Sequence, residues 1–245
     1  MKVAVCVSGL ARSGRPDRDI SLNLKSVKRA FPMADVFLGT WSQHANHVGH
    51  LFPEYRILPI IEPNIHYHPY IDAPYDIIRT DKLRKMVRQS HNDAMLRERY
   101  SHQTKQILAH AAMVDNLPTP YDAIIRVRYD TYVSQQADFA EYLSICISQQ
   151  RAIGFAWMQG VTDFDVATPL PSDSQYRDRF LFDQLIIHTA NTFDPSYVRK
   201  LSDEKRLLPA EFGWWQVLSE PYGDNHLCVC GWANPDKNVD ERYFK

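Results

Sequence analysis

Glycine is scarce in this chain, at 9 of 245 residues. Neither a GxGxxG fingerprint nor a P-loop occurs, so the two commonest glycine-built phosphate cradles are excluded. No apolar run approaches the ~20 residues that a membrane-crossing helix needs, and no membrane span is expected. An excess of charge of either sign is also missing: the formal net charge is −1. The chain as a whole therefore does not attract nucleic acid or an anionic bilayer, no nucleic-acid partner is expected, and any anion site is local. Cysteines number four, Cys6, Cys146, Cys228 and Cys230. Cys6 and Cys146 lie in apolar segments where a buried thiol is ordinary. Cys228-Val-Cys230 is too short a pair to hold zinc without other ligands. All four are read as reduced, which points to the cytoplasm. Met1-Lys2 runs directly into strand-like VAVCV, without the pattern of a signal peptide. Internal repeats and low-complexity tracts are absent.

What is present describes a globular α/β chain. Hydrophobic residues make up 44% and charged residues 23%, and the length suits one α/β domain with a long insertion or a small C-terminal subdomain, and a sizeable core. Prolines, 15 of them, imply stiff loops. Residues 2–8 are valine-rich and read as a central parallel strand. Residues 20–31 carry Leu22, Leu24, Val27 and Ala30 at helical spacing and stop before Pro32. Residues 34–40 and 55–61 read as further strands, and the order strand, helix, strand, strand predicts a mostly parallel sheet. His66 and His68 sit in a proline-rich loop with no fixed spacing to a third ligand, and are read as part of an aromatic loop rather than a metal site. Residues 81–116 are helical in pattern, with their many polar residues assigned mainly to a solvated face. A helix over 138–147, strands over 152–158 and 185–188, and helices over 191–201 and 208–218 follow.

The stretch 121–133, YDAIIRVRYDTYV, concentrates the chemistry. Alternation along a strand puts Arg126, Arg128 and Asp130 on one face. Two guanidinium groups and a carboxylate are costly to bury without partners. At the carboxyl end of a strand in an open α/β sheet such a face lines a ligand crevice. The competing reading is an ion network satisfied within itself. Ser8, Gly9 and Arg12, in the SGLARSGR turn after the first strand, can bring backbone N–H groups and positive charge to a phosphate, and read equally well as a plain β-to-α turn with surface arginines.

Taken in order, VAVCVSGLAR, DVFLGTW, YDAIIRVRYDTYV, and FDQLIIHTANTFD followed by LPAEFGWWQVL resemble segments of small GT-A fold glycosyltransferases, of the kind found in bacterial polysaccharide clusters and in phage and large-virus genomes. The resemblance covers most of residues 1–220. It implies a GT-A, Rossmann-like, mostly parallel sheet flanked by helices over residues 1–230, with a nucleotide-binding half (1–133), an acceptor half (134–230) and a tail (231–245). It implies transfer of a sugar from a nucleotide-sugar donor of the UDP or GDP class to a carbohydrate acceptor, and a location in the host cytoplasm if the gene is viral. Asp130 matches the last Asp of the family's DxD motif, which holds Mn²⁺ or Mg²⁺ on the donor diphosphate. Arg128 stands where the first Asp belongs. Either Asp130 holds a metal, or Arg126 or Arg128 supplies fixed positive charge in its place. Glu211 resembles the base that takes the acceptor proton, and Asp183 is the other candidate. Trp214 and Trp215 are read first as core and second as a sugar platform. Asp35 and Trp41 fall near where the nucleoside lies in this fold and are given no role. Two other functions compete: a sugar-phosphate nucleotidyltransferase, which SGLARSGR matches only in part, and a non-catalytic carbohydrate-binding protein.

Overall fold

The computed structural model describes residues 1–9, 20–65, 67, 94–133, 139–157, 181, 183–223 and 226–232. At 94–97, 99, 155–157, 210, 211 and 229–232 it describes the backbone alone. The strands are β1 (Val3–Ser8), β2 (Asp35–Trp41), β3 (Arg56–Ile60), β4 (Ala123–Arg128), β5 (Ala152–Trp157), β6 (Leu185–His188) and β7 (Leu227–Trp232). The helices are α1 (Ile20–Ala30), α2 (Ala45–Leu51), α3 (Ala94–Asp115), α4 (Phe139–Gln149), α5 (Pro195–Asp203) and α6 (Ala210–Ser219).

The seven strands form one open sheet in the order β3-β2-β1-β4-β6-β5-β7. Its pairs are parallel except those of β6, which runs antiparallel to both β4 and β5. This is the mostly parallel, Rossmann-like sheet that the sequence led us to expect. β1 is buried along its whole length, as an unbroken apolar run in a parallel sheet requires. Its neighbours leave it in opposite directions: the chain passes from β1 to β2 and β3 on one side, then crosses to β4 on the other. The switch point of the topology therefore lies between the carboxyl ends of β1 and β4.

Alternation splits the core into two faces. Val5 and Val7 of β1 and Ile125 and Val127 of β4 pack with Leu24 and Val27 of α1 and with Tyr142 and Leu143 of α4. On the opposite face Cys6 and Ile124 pack with Ala109 and Met113 of α3. There too Ile186 packs with Ile107 of α3 and Trp214 of α6. Glycine is required at Gly213, where a Cβ would strike the Leu208 carbonyl oxygen and the Ile107 side chain. That close approach lets α6 seat Trp214 against the sheet.

Most elements fall within a residue or two of their expected positions. Helix α5 begins at Pro195 rather than 191 because Asp194 caps it: its Oδ1 accepts from the Ser196 N–H at 2.8 Å, and Pro195 opens the first turn. Helix α2 was not anticipated; of its residues only Val48 is buried, so it lacks an apolar stripe. β7 was not anticipated either, and it carries the sheet through Trp232, past the expected start of the tail at 231. Residues 81–93, His66 and His68 lie outside the described residues. Cys6 and Cys146 are free and buried, and Cys228 is buried as well. Among the described residues no helix is long and apolar enough to cross a membrane.

Candidate functional site at the switch point

Ser8 ends β1 and pairs in register with Arg128 at the end of β4. Gly9 follows with φ +129°, a backbone region that side chains disfavour, and turns the chain out of the sheet beside Gln106 of α3. Ligands in open α/β sheets bind outside the strand ends at such a switch point. Arg12 lies outside the described residues.

The turn after β4 is pinned from α1. Asn23 Nδ2 donates to the Tyr129 carbonyl at 3.0 Å, and Ser26 Oγ accepts from the Val133 N–H at 2.9 Å. Asp130 rides on this turn rather than on the strand, yet it meets Arg128: Arg128 Nε donates to Oδ1 at 2.7 Å and Nη2 to Oδ2 at 2.5 Å. Asp183 arrives from the other half of the chain. β6 runs against β4, and the Arg128 N–H donates to the Gln184 carbonyl at 3.1 Å, so the residue before Gln184 reaches the same spot. Arg128 Nη1 donates to both Asp183 oxygens, at 2.9 and 3.0 Å. Burial pulls the Arg128 pKa down, but Asp183 and Asp130 override it and raise the pKa above its ordinary value. The competing reading of 121–133 is thus realised for Arg128, whose guanidinium is closed by two carboxylates.

Arg126, two residues deeper, is fully buried. None of its three guanidinium nitrogens has a hydrogen-bond acceptor among the described residues. It lies over the Trp214 ring at 5.3 Å. Burial lowers its pKa to about 10 despite the opposing pull of Asp183, so it stays charged at neutral pH. Trp214 is core, as first read, and its contribution here is a cation–π face for a buried arginine. Asp35 is placed away from the carboxyl ends of β1 and β4: it opens β2, paired with Ala4 near the start of β1, and accepts from the Tyr121 hydroxyl at 2.8 Å.

A second buried polar group was not foreseen. His110 of α3 and His188 of β6 meet through their Nε2 atoms at 2.7 Å. Phe193 and Trp214 pack around them. Burial lowers the His188 pKa to about 4; burial, then His188 and Arg126, hold His110 well below its ordinary value. The available signal was the register of His110 with Ile107, Ala111 and Val114, which places it on the sheet-facing stripe of α3.

Glu211 falls in the first turn of α6, at the backbone level only. As arranged, the carboxylates do not fit the Mn²⁺ or Mg²⁺ that the resemblance implied. Both oxygens of Asp130 and both of Asp183 accept from Arg128, so a dication there would sit against a guanidinium. Among the described residues no group of three or more His, Cys, Asp or Glu side chains is placed to hold a metal.

No family model matches the chain, and no curated protein matches it. Among solved structures, the chain is similar to 4-diphosphocytidyl-2C-methyl-D-erythritol synthase from Anaerococcus prevotii DSM 20548, with TM-score 0.45 and 11% identity over 99% of this chain and 94% of that one. Similarity to S. aureus TarS 1-349 has TM-score 0.43 and 11% identity, over 94% of this chain and 58% of that one. Similarity to mannose-1-phosphate geranyltransferase from Thermus thermophilus has TM-score 0.43 and 12% identity, over 99% of this chain and 78% of that one. These distant likenesses assign no activity, and the fold is defined by its own strand order and direction.

Proposed function

We propose that this chain is a glycosyltransferase that moves a sugar from a nucleoside-diphosphate donor, of the UDP- or GDP-sugar class, to a glycan or lipid-linked acceptor. One observation carries the reading: two guanidinium groups stand at the carboxyl end of β4, at the topological switch point, and one of them has no hydrogen-bonded counter-ion among the described residues. In such a transfer the bond from the anomeric carbon to the diphosphate oxygen breaks, and the acceptor hydroxyl oxygen forms the new one. The departing diphosphate gains charge, which fixed guanidinium donors stabilise. Arg128 is the partly exposed member of the pair and is the one that meets phosphate oxygens. Ser8, paired in register with Arg128, and Gly9 after it border the path of the nucleotide. The acceptor proton goes to a carboxylate, for which Glu211 is the candidate. Asp183, held by Arg128, belongs to the donor side.

Thermal denaturation with UDP, GDP, CMP and dTDP tests the reading, since a ligand of the folded state raises the midpoint. One nucleotide should stabilise the protein, and its sugar conjugate should release free nucleotide in the presence of acceptor. Glu211→Gln should keep the thermal shift and lose the release. If no nucleotide shifts the midpoint, the non-catalytic carbohydrate-binding reading replaces this one; the closure of Arg128 by Asp130 and Asp183 favours it.

A further inference from the structure

The charges at the end of β4 are even in number and uneven in distribution. Arg126 and Arg128 face Asp130 and Asp183, yet both carboxylates bond to Arg128 and neither to Arg126. The two carboxylates hold Arg128 differently. Asp130 takes two separate nitrogens, Nε and Nη2, from a turn pinned by Asn23 and Ser26. Asp183 places both oxygens on the single nitrogen Nη1. It precedes β6 instead of lying in that turn, and it is the foremost opposing charge acting on Arg126. Exposure divides the arginines as well: the Arg128 side chain is 31% exposed, whereas Arg126 is sealed. A ligand from solution meets Arg128 first, and Arg126 is reached by its neighbours.

From this arrangement we infer that Asp183 is an exchangeable clasp, which leaves Arg128 when an oxyanion docks there and takes up the guanidinium of Arg126, which has no hydrogen-bond acceptor among the described residues. The inference rests on the diphosphate reading of the site. It gives Arg126 a positioning role without contact to the ligand. The exchange leaves both guanidinium groups with an anionic partner: the diphosphate replaces Asp183 on Arg128, and the displaced carboxylate moves to a buried cation whose fork can receive it. Without that receiver, the docking ligand would confront a carboxylate at close range.

Calorimetric titration with inorganic pyrophosphate, in EDTA, tests the exchange in the wild type, Asp183→Asn, Arg126→Met and the double variant. A double-mutant cycle isolates the coupling between the two residues. Arg126→Met should weaken pyrophosphate binding by about tenfold in the wild type and have little effect in the Asp183→Asn background, where no carboxylate needs a receiver. Equal losses in both backgrounds overturn the inference, because Arg126 then acts on the ligand directly. Should Arg126→Met fail to fold, the Arg126 Nε–H resonance supplies the answer. It should shift on addition of pyrophosphate in the wild type and stay in place in Asp183→Asn; a shift in both, or in neither, overturns the exchange. Pyrophosphate binding with additive variants sinks the clasp and leaves the transferase reading intact. No binding by any variant sinks the clasp, and joined to a silent nucleotide screen it removes the transferase reading too.

Discussion

Asp183 lays both carboxylate oxygens on one guanidinium nitrogen of Arg128, across 55 positions of chain. That contact ties the end of β4 to the approach to β6. It also fixes what Arg128 does in the folded protein before any ligand arrives: it neutralises two acids that would otherwise repel one another.

Arg128→Met should therefore destabilise the fold. It leaves Asp130 and Asp183 facing each other without their shared cation. Removing one partner of a buried ion cluster costs about 3–5 kcal/mol, and exposed pairs contribute little. For this partly exposed cluster we expect a loss of about 2 kcal/mol. Urea unfolding at pH 7 measures it.

The His110–His188 pair sets an acid limit. Burial holds His188 at about 4 in the folded chain against an ordinary value of 6.5. Between those values the unfolded chain binds the proton that the folded chain refuses. Stability should fall as the pH drops through 6.5 toward about 4 and stop falling on this account below it, for a total on the order of 3 kcal/mol. The side chains facing the pair are Arg126, Phe193 and Trp214, none of them an acid that would ease protonation. Unfolding free energies at pH 7, 6 and 5 test the prediction, and a flat profile over that window would contradict it. His188→Gln should reduce the slope.

Gly213→Ala probes how α6 is seated. The new methyl group would meet the Leu208 carbonyl and Ile107. Because backbone is involved, the strain is not relieved by a rotamer change, and a loss of about 2–3 kcal/mol is expected. Chemical denaturation measures the stability, and near-ultraviolet circular dichroism should register the displaced Trp214.

The nucleotide that stabilises the protein should do so equally in EDTA and in Mn²⁺. The oxygens of Asp130 and Asp183 are already engaged by Arg128, which supplies positive charge at the position where the resemblance would put a cation. Parallel melting curves with and without chelator decide the matter. A thermal shift seen only with Mn²⁺ would mean that Arg128 yields the carboxylates to the metal.

All strands of the sheet but β7 were legible in the sequence because their signals are local. The valine run of β1 and the LIIH run of β6 are short apolar stretches with clear ends, and β6 falls at 185–188 as expected. Arg126 and Arg128 were legible as a face because alternation needs no partner to be counted. Their different fates were not. Which arginine is closed by carboxylates depends on the turn that α1 pins and on the antiparallel entry of β6, both set by contacts between distant residues. The His110–His188 contact was hidden for the same reason: one histidine sits among the polar residues of a long helix, the other at a strand end, and only the packing of α3 over the sheet brings them together. Arg12 and the side chain of Glu211 lie outside the described structure, so their expected roles stay with the proposal.

The reversed direction of β6 has a consequence for how the crevice comes into being. In a uniformly parallel sheet, every strand would deliver its exiting end to the same rim. Here the rim also receives the approach to a strand, and with it an acid whose counter-charge was encoded much earlier in the polypeptide. Cut the chain between β5 and β6, and one fragment keeps the arginines while the other keeps Asp183. Neither carries the complete cluster, and mixing them should restore it only when the severed strand docks again in its backward orientation.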